Sequence, residues 1–105
     1  MLLMGSGLAA TDTTDVFEVT EVCDLIFSVE GTTFTGGTLQ IQYSPNYSEN
    51  TTPTWYDLDV TNLAFTTRGQ KVATWGECHI RGSVTSWNVD AHKIWIGGRY
   101  VHPVE

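Results

Sequence analysis

Residues 16–30 read Val16-Phe17-Glu18-Val19-Thr20-Glu21-Val22-Cys23-Asp24-Leu25-Ile26-Phe27-Ser28-Val29-Glu30. Phe17, Val19, Cys23, Leu25, Phe27 and Val29 fall on one side, interrupted by Glu21. Glu18, Thr20, Asp24, Ser28 and Glu30 fall on the other. A strict two-residue rhythm is the mark of a strand with one face buried, because successive side chains point to opposite faces. Fifteen residues is longer than a usual strand, so a bulge or a switch between sheets is expected near Glu21-Val22.

The same rhythm recurs downstream. Thr38 to Ser44 turns Leu39, Ile41 and Tyr43 inward and Gln40 and Gln42 outward. Thr54 to Val60 sets Tyr56, Leu58 and Val60 against Trp55, Asp57 and Asp59. Leu63 to Thr67 and Gln70 to Trp75 flank Arg68-Gly69, which reads as a tight hairpin. Glu77 to Thr85 turns Cys78, Ile80 and Val84 inward. A last strand runs from Ala91 to Val101, with Ile94 and Ile96 inward, Lys93 and Trp95 outward, and a bulge at Gly97-Gly98. About eight short strands and no amphipathic helix predict an all-β antiparallel β-sandwich of jelly-roll or immunoglobulin-like type. The chain of 105 residues is the size of one such domain, over residues 16–105. Residues 1–15 open with a glycine-broken apolar run and close on Thr11-Asp12-Thr13-Thr14-Asp15. They read as an extended N-terminal arm, flexible or docked on a partner.

Charge narrows the partners. The net charge is −7, and the first 67 residues hold no Lys or Arg; the bases are Arg68, Lys71, Arg81, Lys93 and Arg99. An acidic half repels phosphates, whereas nucleic-acid binding needs clustered cations, so no direct nucleic-acid partner is expected. No stretch is long and apolar enough for a helical membrane span. Two cysteines, Cys23 and Cys78, are fewer than a disulfide framework shows, and both sit on inward faces of their strands; one bridge or two buried thiols are both open.

Catalytic chemistry finds little support. The chain has no Gly-x-Ser-x-Gly elbow, and His79, His92 and His102 each lie in or beside a strand. Asp57 and Asp59 with Asn62 offer oxygen ligands at a spacing that suits Ca²⁺, but two acids on an exposed strand face are ordinarily solvated. Zinc needs three or four convergent Cys or His ligands. No enzyme activity, metal or cofactor is expected. The outward aromatics carry the binding signal, since a large ring beside a base makes an interface anchor. The candidate partner-binding residues are Trp95, Lys93, Arg99, Arg81, Trp87 and Trp55, with Asp12 and Asp15 on the arm.

One resemblance extends this reading. Thr38-Leu39-Gln40-Ile41-Gln42-Tyr43-Ser44-Pro45-Asn46, followed by Thr54-Trp55-Tyr56-Asp57-Leu58, resembles a strand–loop–strand pattern of small virion proteins of tailed bacteriophages. The stretch Cys78-His79-Ile80-Arg81-Gly82-Ser83-Val84-Thr85-Ser86 is similar to the strand that follows it there. The chain departs from that pattern at Tyr47-Ser48-Glu49-Asn50, where a compact Asp-Gly turn is common. The resemblance implies a capsid decoration or cement protein on the virion surface. Its partners would be the major capsid protein and neighbouring copies of itself. Two other readings stay open: a carbohydrate-binding β-sandwich module using Trp55, Trp87, Trp95 and Tyr47 as stacking rings, and a tail or adaptor protein of the phage particle.

Overall fold

The computed structural model describes residues 1–8, 12–31, 37–45, 47, 52–58, 63–66, 68–85 and 93–104. Ten strands are defined: β1 (Leu2–Ser6), β2 (Phe17–Val19), β3 (Cys23–Glu30), β4 (Thr38–Ser44), β5 (Tyr56–Asp57), β6 (Ala64–Phe65), β7 (Gly69–Trp75), β8 (Cys78–Thr85), β9 (Lys93–Gly97) and β10 (Val101–Pro103). They form two antiparallel sheets. One is four-stranded, in the order β1-β9-β3-β7. The other is six-stranded, in the order β10-β2-β8-β4-β5, with β6 also paired to β4. The molecule is an all-β sandwich.

The core lies where the two inner faces meet. Met4, Leu25, Phe27, Val29, Ile94 and Ile96 come from the four-stranded sheet. Phe17, Val19, Leu39, Ile41, Phe65, Cys78, Ile80, Val84 and Val101 come from the six-stranded sheet, and Leu58 and Leu63 fill its rim. Most are residues that the two-residue rhythm turns inward, so hydrophobic burial and strand pairing select the same register; Met4, Leu63, Phe65 and Val101 join them from stretches where no such rhythm is read.

The long alternating stretch is divided as its length requires. β2 belongs to the six-stranded sheet and β3 to the four-stranded one, and the chain crosses between them at residues 20–22, where Glu21 and Val22 are exposed. Crossing of this kind is the rule here. β7, β8, β9 and β10 alternate between sheets, and three sequence expectations give way to that pattern.

Arg68-Gly69 does not close a hairpin: β6 pairs with β4 and β7 with β3, because Phe65 and Leu63 are needed over the six-stranded sheet. Gly97-Gly98 is a crossing and not a bulge, so β9 and β10 are separate strands in different sheets. The third concerns residues 1–15. Instead of an extended arm, Leu2–Ser6 is the edge strand β1, paired with β9, and Met4 is wholly buried in this chain's own core. Residues 12–15 then clip onto the sandwich. Val84 donates its amide to the Asp12 carbonyl (2.9 Å), Thr14 to that of Gly82 (2.9 Å), and Asp15 to that of Met4 (3.0 Å). Met4 of this segment finds its partners within the domain, while Met1 and Leu3 stay exposed.

The last crossing is tight enough to test. A β-carbon on Gly98 would meet Val101 Cγ2 at 2.8 Å, and the Asp24 carbonyl oxygen and Leu25 Cδ2 at 3.1 Å. Backbone cannot give way as a side-chain end can, so Gly98→Ala should lower stability by about 1–3 kcal/mol, read as a shift in the urea midpoint.

Candidate docking faces

Each sheet turns its second face outward, and the two faces differ in chemistry. On the four-stranded sheet, register places residues in cross-strand rows. Leu3, Trp95, Ser28 and Gln70 form one row, and Gly97, Ile26 and Val72 the next. The Met1 side chain lies over Gly97, where a β-carbon would come within 3.1 Å of its Cγ. Leu3 is 42 % and Val72 63 % exposed, while Trp95 and Ile26 are half-buried. The result is an apolar band across all four strands.

Polar rows bound it at both ends. Thr74 donates its hydroxyl to Asp24 Oδ1 (2.6 Å) at one end, and Glu30, Lys93 and Ser6 align at the other. The Trp95 indole N–H donates to Glu30 Oε1 (3.1 Å), which fixes the ring across the band. An apolar centre with a polar rim is the anatomy of a protein-docking surface.

On the six-stranded sheet the outer face is polar and satisfied from within. Gln42 Nε2 donates to Asp57 Oδ1 (3.0 Å), and Arg81 Nε donates to Gln42 Oε1 (3.0 Å). The Arg81 guanidinium carbon stands 4.3 Å from the Trp55 ring centroid. Tyr47 meets Trp55 edge-on (6.0 Å) and stacks on His79 (4.5 Å), whose Nε2 lies 3.5 Å from Glu18 Oε2. Burial desolvates the Arg81 guanidinium and lowers its pKa. The cation–π contact and the Gln42 carbonyl offset part of that desolvation. This strip pins residues 47 and 55–57 onto the sheet.

The candidate residues therefore do not converge. Trp95 and Lys93 share the apolar-banded face, with Lys93 exposed at its rim. Arg81 and Trp55 belong to the opposite face. Arg99 lies in the turn before β10, its guanidinium 5.5 Å from the Tyr100 ring centroid. Asp12 and Asp15 are exposed on the clipped segment. Asp15 lines a shallow cleft of about 530 Å³ with Leu2, Leu3, Phe17, Tyr47 and Pro103. Trp87 lies outside the described residues, as do Asp59 and Asn62. Among the described residues no three His, Cys, Asp or Glu side chains gather as metal ligands would. Ile26, Val72 and Leu3 do not stand out in the sequence as outward aromatics or bases do. Ile26 and Val72 are apolar exceptions in the polar phase of their strands, the one signal that marked them.

Cys23 and Cys78 are free thiols. Burial pushes the Cys78 thiol from 9.0 up to about 11, opposed by a hydrogen bond from Trp75 and reinforced by Cys23. The folded protein thus holds a proton that the unfolded chain releases at lower pH. Cys78 contributes stability below pH 9.0, and that contribution fades as pH rises toward about 11. A thiol reagent should label half-buried Cys23 first and Cys78 only on unfolding; equal native rates would contradict this burial.

A scan against protein-family models and searches of curated proteins and of solved structures return no match.

Proposed function

We propose that this chain is a structural protein of a bacteriophage particle, a decoration or cement protein that seats on the outer surface of the head. The observation that carries the reading is the apolar band of Leu3, Trp95, Ile26 and Val72, held on rigid paired strands and rimmed by Asp24, Thr74, Glu30 and Lys93. Four paired strands present this surface already organised, so docking orders little that was free before. The resemblance of Thr38–Ser86 to small virion proteins supplies the shell as partner, and localisation on the virion follows from it.

Two alternatives make different demands. A tail or adaptor protein would use the same face at the low copy number set by ring symmetry, against hundreds on a head. A glycan-binding module would need free ring faces. Trp55 has Arg81 against its ring and Tyr47 is stacked on His79, which leaves those rings committed within the chain. The experiment is to add purified protein to heads stripped of it. The decoration reading expects saturable binding and heads that withstand higher temperature; heads that take up no protein would remove it.

A further inference from the structure

The two sheets end in strands of unequal protection. Unpaired backbone on an exposed edge invites another strand, and proteins blunt such edges with bulges, prolines, charges or short length. β1 breaks register between Leu3 and Gly5, and the Met4 carbonyl is already taken by the Asp15 amide. β10 has three residues, one of them Pro103, and β5 and β6 have two each. β7 has no bulge, no proline and no shortness to protect it, and a single Lys is its one such device. Its seven residues pair with β3 in unbroken register from Gly69 to Trp75, without proline or acid. Its single charge, Lys71, has its Nζ 5.4 Å from the Phe65 ring centroid. Among the described residues no strand pairs with its free side.

We propose that β7 pairs with β7 of a second copy of this chain, antiparallel about a two-fold axis through Val72. The strand suits itself in that register. Val72 opposes Val72, Lys71 opposes Ala73, Gln70 opposes Thr74 and Gly69 opposes Trp75, so no like charges stand directly opposite and the two Lys71 are diagonal neighbours. Residues directly opposite share a face, and the two Val72 side chains, each 63 % exposed in the single chain, cover one another on the outer side. The chain's net charge of −7 keeps copies apart over most of the surface. Lys71 lies on this strand, Arg68 immediately precedes it, and the strand itself carries no acid to add to that repulsion. The product is an isologous dimer in which two four-stranded sheets become one of eight strands, their apolar bands continuous across the axis. It stands apart from the docking reading, because it concerns the protein free in solution.

Sedimentation equilibrium from micromolar to millimolar concentration tests it, with twice the 11.6 kDa of the chain expected for the wild type. Val72→Asp sets two carboxylates against each other on the axis and should give a monomer with an unchanged β circular dichroism spectrum. Should that variant fail to fold, hydrogen exchange on the wild type decides: amides of β7 on its free side gain protection on concentration. A wild type that stays monomeric throughout, a Val72→Asp protein that dimerises as the wild type does, or β7 amides indifferent to concentration would each overturn the proposal.

Discussion

Under the proposed decoration role, Trp95→Ala is expected to weaken attachment to the phage head by about thirtyfold or more, which corresponds to the roughly 2 kcal/mol that separates an interface hot spot from its neighbours. The indole sits mid-band between Leu3 and Ser28, and its N–H is held by Glu30, so it meets a partner in a fixed pose and loses little side-chain freedom on docking. Truncation removes a wide apolar surface from the centre of the band and leaves the core layer of Phe27, Ile94 and Ile96 untouched. The variant should therefore keep its spectrum and its unfolding midpoint while binding fails. Trp55→Ala is the control, since its ring lies on the other sheet against Arg81. It should bind heads as the wild type does. Loss of head binding in Trp55→Ala with retention in Trp95→Ala would move the docking site to the six-stranded sheet and return weight to glycan recognition.

The largest effect on stability is expected at Phe27. It is fully buried at the middle of β3, the strand that joins β7 to β9, and it faces the six-stranded sheet across the core. Phe27→Ala removes most of a ring from a close-packed interior that cannot collapse around the gap, at a cost of about 3–5 kcal/mol. Small domains are stable by about 5–15 kcal/mol in all, so the variant loses a large share of the total and its unfolding midpoint should fall steeply. Chemical denaturation followed by near-ultraviolet circular dichroism measures the loss. A change below 1 kcal/mol would mean that the ring is not where the core needs it.

What the sequence could disclose was whatever depends on neighbours two residues apart. Cys78–Thr85 shows its inward residues plainly because it alternates over its whole length, Thr38–Ser44 does so as far as Gln42 before a half-buried Tyr43 and a buried Ser44, and the excess length of residues 16–30 points to the crossing at 20–22. What it hid depends on partners far along the chain. Leu2–Ser6 is a strand because β9, some ninety residues later, offers it an edge and because the core has room for Met4; a glycine-broken apolar run shows neither. Arg68-Gly69 has the grammar of a hairpin, yet the strands on either side prefer different sheets. Gly97-Gly98 is spelled the same whether the chain bulges or crosses. The docking face was half legible. Trp95 and Lys93 declared themselves as outward residues. The band around them is assembled from four strands and becomes visible only when register places Val72 beside Ile26 and Leu3 beside Trp95. That Arg81 and Trp55 lie on the opposite face from Trp95 is hidden for the same reason, since period two tells which residues face outward but not on which sheet.

The measurement that bears most directly on all of this is an electron cryo-microscopy reconstruction of phage heads re-decorated with the purified protein. Density for the sandwich should lie on the outer shell with the Leu3–Trp95–Ile26–Val72 face against it and the Tyr47–Trp55–Arg81 strip toward solvent. A sandwich seated through the six-stranded sheet, or heads that remain bare, would contradict the account.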